Sequence, residues 1–329
     1  MSITSMLWFE RLSGQLKIPW WSGTILVSSL LFVIPYAVFG AFFGFWDFFL
    51  SQIGSVVPLV VLVGVYCLFA SRYIRRKVED LLQYCESISV EKLGIRPSAL
   101  YGFRPVLIVW IILDIVQTWA FFPVYPSTFT VIQRILVQMP WNLWGIALAT
   151  LFWTFGYSLV TIYRMGKQPL RLKPFTEDRT LGLKPFGLAS LRLTLIFVAS
   201  WAMLTALQLL QGYVQVQILL ADVGAFLLGF VIFLLPLFSL RQRLLSAKRE
   251  KLRWISQRYT RIMQQFEENS DNVDQKLVNE LRVVDRALRD IQQISTWPFD
   301  TGILVRLLAV ILSVVAIILA RIVTIALHL

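Results

Sequence analysis

Seven long apolar runs, near residues 24–45, 53–72, 105–122, 141–163, 191–212, 218–240 and 303–328, are separated by polar segments. Each approaches the ~20 residues a helix needs to cross ~30 Å of hydrocarbon. The pattern predicts an all-α polytopic membrane protein with seven transmembrane helices. Residues 6–21, MLWFERLSGQLKIPWW, mix large apolar groups with Glu10, Arg11 and Lys17. They predict a short helix lying in the interface, with Trp20 and Trp21 at headgroup depth. The second run ends at SRYIRRK, read as a stop of Arg72, Arg75, Arg76 and Lys77. FTVIQRILVQM, between Pro126 and Pro140, predicts a separate interfacial helix before the fourth span.

Between the sixth and seventh runs the period changes. Leu252, Ile255, Tyr259, Ile262 and Phe266 step by alternating threes and fours. NSDN at 269–272 interrupts the pattern, and Val273, Leu277, Leu281, Val284, Leu288 and Ile291 resume it. Two narrow apolar seams around a polar turn predict an antiparallel helical hairpin of coiled-coil character. Its first arm continues span six, because no breaker lies between Pro236 and Asn269, and Pro298 stops the second arm. Three units follow: 1–240, a six-helix bundle with the N-terminal interfacial helix; 241–298, the hairpin; and 299–329, the last span.

Charge orients this array. Of 31 Lys and Arg, 28 fall in the N-terminal segment, the 72–104 and 164–192 loops and the 241–301 segment. The alternate loops carry Arg134 alone, and Arg306 and Arg321 lie inside the last span. Basic loops stay cytoplasmic, which predicts N-terminus in and C-terminus out. The chain is 57% hydrophobic and only 15% charged, below the ~25% charged residues of soluble domains. Its net charge of +12 therefore reads as bases facing anionic headgroups rather than nucleic acid. The first apolar run is long enough to act as a signal anchor. The expected location is an inner or plasma membrane, and the expected surroundings are the lipid bilayer and further copies of the chain.

Candidate chemistry is sparse. His328 is the only histidine, and no HExxH, GxSxG or phosphate-binding loop is present, so no catalytic residue, metal site or cofactor is expected. Cys67 and Cys85 lie in the second span and the loop after it, an arrangement that predicts no disulfide. Asp114, with Gln117 one turn on, and Asp222 are intramembrane polar groups, functional candidates by default. Asp222 and Arg321 have compatible depths for an ion pair; the alternative is that each reaches the outer headgroups separately. Trp119, Tyr125, Trp141 and Gln208 crowd the outer half, as a small-ligand pocket open to the outer side or as an ordinary aromatic belt. The 164–192 loop contains the echo LRLKPF and LGLKPF around TEDRT. It predicts an extended, turn-rich loop whose repeats are two turns leading into the membrane, or a headgroup or partner site.

The topology of seven helices, N-terminus in, C-terminus out, with short outer loops and cytoplasmic helices before the last span, resembles the seven-transmembrane channel superfamily of insect odorant and gustatory receptors. The resemblance spans the whole chain and is architectural. The family's Thr-Tyr and Gln-Phe signature is absent from the last span, GILVRLLAVILSVVAIILARIVTIALHL. The resemblance implies a homotetrameric, ligand-gated ion channel whose subunits join through the cytoplasmic helices. Leu252, Ile255, Tyr259, Ile262, Phe266, Leu277, Leu281, Val284 and Leu288 would then serve assembly. Leu307, Val310, Ile311, Val314, Ile317, Ile318 and Arg321 would line the pore. Arg321 on a pore wall would oppose cations. The competing expectations are a non-conducting scaffold or sensor whose hairpin binds a partner, and a secondary transporter, for which no half-to-half echo is visible.

Overall fold

Helix formation satisfies every internal backbone group, which is why apolar runs of this length fold as helices wherever water is scarce. The computed structural model describes residues 6–43, 56–90, 102–121, 130–171, 174, 178, 180–210, 216–268, 275–292 and 297, together with 305, 309, 312, 313 and 316. Among the described residues eight helices follow in order: α1 Trp8–Gln15, α2 Trp20–Phe43, α3 Val56–Ile88, α4 Phe103–Phe121, α5 Val131–Lys167, α6 Lys184–Leu210, α7 Val216–Glu268 and α8 Gln275–Gln292. The described residues contain no strand beyond an isolated antiparallel bridge, Ser89 to Leu170.

Five described helices are long and apolar enough to cross a membrane: α2, α3, α5, α6 and α7. The run at 105–122 forms α4, a 19-residue helix outside those five. The run at 303–328 lies outside the described residues, apart from helical positions at Val305, Ala309, Leu312, Ser313 and Ala316. Large side chains stand exposed along whole helix faces: Ile108, Ile111, Ile112, Ile115 and Trp119 on α4, and Leu26, Leu30, Ile34 and Val38 on α2. Contiguous apolar faces of this size suit lipid rather than water, and they suggest a membrane protein.

α5 and α3 form the centre. Gly64 of α3 lets α2 and α5 approach, since a Cβ there would stand 2.3 Å from Ser28 Oγ and 2.5 Å from Trp144 Nε1. That indole donates to the Val60 carbonyl at 3.1 Å, and Ser28 Oγ donates to the Val61 carbonyl at 3.0 Å. The buried hydroxyls of Thr150, Thr154, Ser158 and Thr161 on α5 each donate to the carbonyl four residues earlier, so they enter the core already partnered.

The leading end of α1 is buried, with Leu7 and Phe9 packed among Val27, Leu68 and Ala147, and two expectations about where helices begin and end change. Trp8 Nε1 donates to Thr150 Oγ1 of α5 at 3.0 Å. The basic cluster SRYIRRK does not end α3, which runs on to Ile88. Ile74, Val78, Leu81, Leu82 and Cys85 keep one side apolar and buried, so the helix outlasts its apolar run. FTVIQRILVQM forms no separate helix; it includes the first turns of α5, which passes through Pro140. Thr130 and Gln133 form the capping box, and Gln138 Nε2 donates to Asn142 Oδ1 at 3.1 Å across the proline. In LGLKPF, Leu181 and Gly182 form a turn that leads into α6, which Lys184 and Pro185 open, a proline in the first turn removing no helical hydrogen bond; Leu172, Lys173 and Phe175 of LRLKPF lie outside the described residues.

α7 is one helix of 53 residues containing Pro236, and α8 packs against its later half. Ile255, Ile262, Val284 and Ile291 are buried between them, with Leu252, Leu281 and Leu288 packed at the edges.

Candidate functional site

Two polar constructions stand out at one end of the bundle. The first holds α1 in place. Glu10 is 5% exposed, and its Oε1 pairs with Arg72 at 3.1 Å and with Arg75 at 3.2 Å. Arg75, 1% exposed, also pairs with Glu79 at 2.9 Å. Glu10 Oε2 accepts the Leu7 N–H at 2.9 Å, and the Arg72 guanidinium lies 3.9 Å over the Trp20 ring. Two carboxylates thus balance two guanidiniums, the condition under which charges tolerate burial.

The second is a cleft of about 590 Å³ between α3 and α6. Lys77, Asp80, Leu81 and Tyr84 line it from α3, with successive turns bringing them to one side. Lys184, Pro185, Leu188, Ala189 and Arg192 line it from α6, and Asp178 closes one end. That end is a built turn. Asp178 accepts from the Thr180 N–H at 2.8 Å, the Thr180 hydroxyl at 2.8 Å and the Gly182 N–H at 3.0 Å. Leu181 and Gly182 both take positive φ, 54° and 86°, and Leu181 is buried despite that conformation. Tyr84 Oη donates to the Gly182 carbonyl at 3.0 Å and fastens the turn to α3. Burial alone would raise the Asp178 carboxyl. The donors from Thr180 and Gly182 and the charge of Lys184 outweigh burial and hold it below the usual carboxylate value. Lys77 pairs with Asp80 at 3.0 Å. Among the described residues, Arg192 has no ion-pair partner.

The residues singled out from sequence are distributed as follows. Trp110, Asp114 and Gln117 share the stripe of α4 that faces α5. Trp110 Nε1 donates to the Asn142 carbonyl at 2.6 Å, and Gln117 Oε1 lies 3.8 Å from where a Gly145 Cβ would stand. Asp114 Oδ1 is buried there without a hydrogen-bond partner among the described residues. Asp222, 2% exposed, accepts from Thr205 Oγ1 of α6 at 3.2 Å; its proposed partner Arg321 lies outside the described residues. The outer aromatic and amide groups are placed one by one. Trp119 is exposed on α4, Trp141 packs edge-on to Phe32 at 5.0 Å, Gln208 sits on α6, and Tyr125 lies outside the described residues. The pore candidates Leu307, Val310, Ile311, Val314, Ile317 and Ile318 also lie outside them. Of the assembly candidates, Ile255, Ile262 and Val284 are buried inside the α7–α8 seam, Leu252, Leu281 and Leu288 flank it, and Tyr259 is exposed. The side chains of Phe266 and Leu277 are outside the described set.

Sequence reasoning named Glu10 and the TEDRT stretch that contains Asp178 but gave neither carboxylate its partners. For Asp178 the signal was present, since Asp-x-Thr ahead of a glycine is an Asx-type turn pattern. Cys67 and Cys85 are free and buried, and no group of three or more metal-ligating side chains occurs among the described residues. No protein-family model, curated protein or solved structure matches the chain.

Proposed function

We propose that the chain is a multi-pass membrane protein of seven spans, N-terminus on the cytoplasmic side, that assembles as a homotetrameric ion channel with its last span along the axis. The observation that carries this reading is α7. Its 53 residues amount to ~80 Å of helix against ~30 Å of hydrocarbon, so it projects well beyond the membrane, and α8 folds back along it. The last apolar run thus follows a projecting hairpin, and the loop charges assign that hairpin to the cytoplasm. The stretch Leu307–Ala320 would gate by dewetting.

A second reading draws on a specific observation. The three-four seams close on each other within one chain, leaving Trp254 and Val283 exposed at 60% and 67% on the hairpin's outside. A non-conducting scaffold would use such groups to hold a cytoplasmic partner.

The subunit count of the full chain in lipid nanodiscs separates the two. A fourfold ring, with cysteines placed along 307–325 reacting at helical intervals, is expected of the channel. A monomer rejects the central pore and leaves the scaffold.

A further inference from the structure

Asp222 is used by neither reading. It is 2% exposed on α7, and Thr205 of α6 supplies its hydrogen bond among the described residues, where no cation pairs with it. Thr205 is set apart from the other buried hydroxyls of α6. Ser190, Thr194 and Ser200 donate to the carbonyl four residues earlier, whereas Thr205 turns to Asp222 at 3.2 Å. Gln208 follows one turn on along the same stripe, and its Oε1 is buried without a hydrogen-bond partner among the described residues. Trp201 Nε1, one turn before Thr205, is buried and unpartnered in the same sense. Thr205 meets Asp222 while Phe197 meets Gly229, so α6 and α7 run antiparallel. Side chains tilt toward the N-terminus of their own helix, which inclines Gln208 and Asp222 toward each other. Buried Leu204 and Leu207 flank Thr205 in sequence and make the surroundings apolar, where an uncompensated carboxylate is costly.

We propose that Asp222, Thr205 and Gln208 hold an alkali-metal cation between α6 and α7. Carboxylate, hydroxyl and amide carbonyl present oxygen alone, the ligand type of hard cations. A lone carboxylate balances a monovalent ion; a divalent ion would leave excess charge buried, and Ca²⁺ takes ~6–8 oxygens. A water in the ion's shell would accept the Trp201 N–H. The interface is set before the ion arrives: a Cβ on Gly229 would stand 2.4 Å from Phe197 Cε1, so the helices are in close contact two turns from Asp222. The chain itself encloses the site, which is therefore independent of whether the protein conducts.

The test uses the full chain in mild detergent at constant ionic strength, with N-methylglucamine chloride replaced stepwise by sodium chloride and, separately, by potassium chloride. The expected result is a saturable rise of about 5 °C in the unfolding midpoint with sodium, potassium or both, and one radiolabelled ion retained per chain. D222N should lose the response, and T205V or Q208L should raise the half-saturating concentration about tenfold. D114N and R321Q should leave it unchanged. The absence of both a midpoint shift and a retained ion in wild type overturns the site, as does a response that survives D222N. A response lost in D114N instead places the ion on α4, and one that emerges only in R321Q makes Asp222 the arginine's partner; either result overturns the site. Should D222N not fold, an unchanged half-saturating concentration in both T205V and Q208L overturns it.

Discussion

Glu10 shows how much one side chain can govern. It reaches Arg75 across 65 positions of sequence and keeps two nearly enclosed guanidiniums compensated. E10Q removes the charge with little change of shape and leaves Arg72 without its carboxylate, so a loss of about 3 kcal/mol is expected, with loosening of α1. Thermal unfolding in detergent checks the loss, and faster proteolysis near Trp8 checks the loosening; an unchanged midpoint would mean the network contributes nothing net. Asp178 gives a pH dependence. Its carboxyl is held below its unfolded value near ~3.9, so its stabilisation is fully present above that value and is lost as pH falls through the lower, folded value. D178N should cost about 1–2 kcal/mol at neutral pH and flatten that acid limb. An acid limb identical in D178N and wild type would assign it to other carboxylates.

At the scale of elements, contacts between helices turn on small residues and closed seams. Gly64 has no room for a Cβ toward Trp144, whose indole is held by the Val60 carbonyl. G64A should therefore destabilise by about 1–3 kcal/mol, read from the same unfolding midpoint, and a neutral result would show that the α3–α5 crossing relaxes easily. The hairpin supports a paired comparison. I255A opens the α7–α8 seam and should cost about 2–4 kcal/mol, whereas W254A removes an exposed ring and should leave stability within ~0.5 kcal/mol. A large stability loss in W254A would indicate that the ring is covered in the assembled protein. Here the sequence was readable in part. The three-four steps from Leu252 to Ile291 indicated two helices and their seam, and the absence of breakers after Pro236 indicated a continuous α7. The continuation of α3 past SRYIRRK was present in the spacing Ile74, Val78, Leu81, Leu82, Cys85, but the charges on its other faces obscured it.

For the whole molecule, exposed apolar faces on α2, α4 and α7 require a covering of lipid or of neighbouring subunits. Counting subunits in nanodiscs decides between those two, and the periodic reactivity of cysteines at 307–325 decides whether the last run borders water.

Taken alone, the sequence determined the all-helical character, the apolar runs and the double seam. These depend on local period and on transfer of each residue between water and hydrocarbon, quantities that add along the chain. Tertiary structure alone decided that α1 is buried at its leading end, that Glu10 meets Arg72 and Arg75, that the hairpin closes on itself, and that α3 and α6 leave a basic cleft above the Asp178 turn. Each depends on which faces of distant helices meet, and a helix presents the same periodic stripe whichever neighbour covers it.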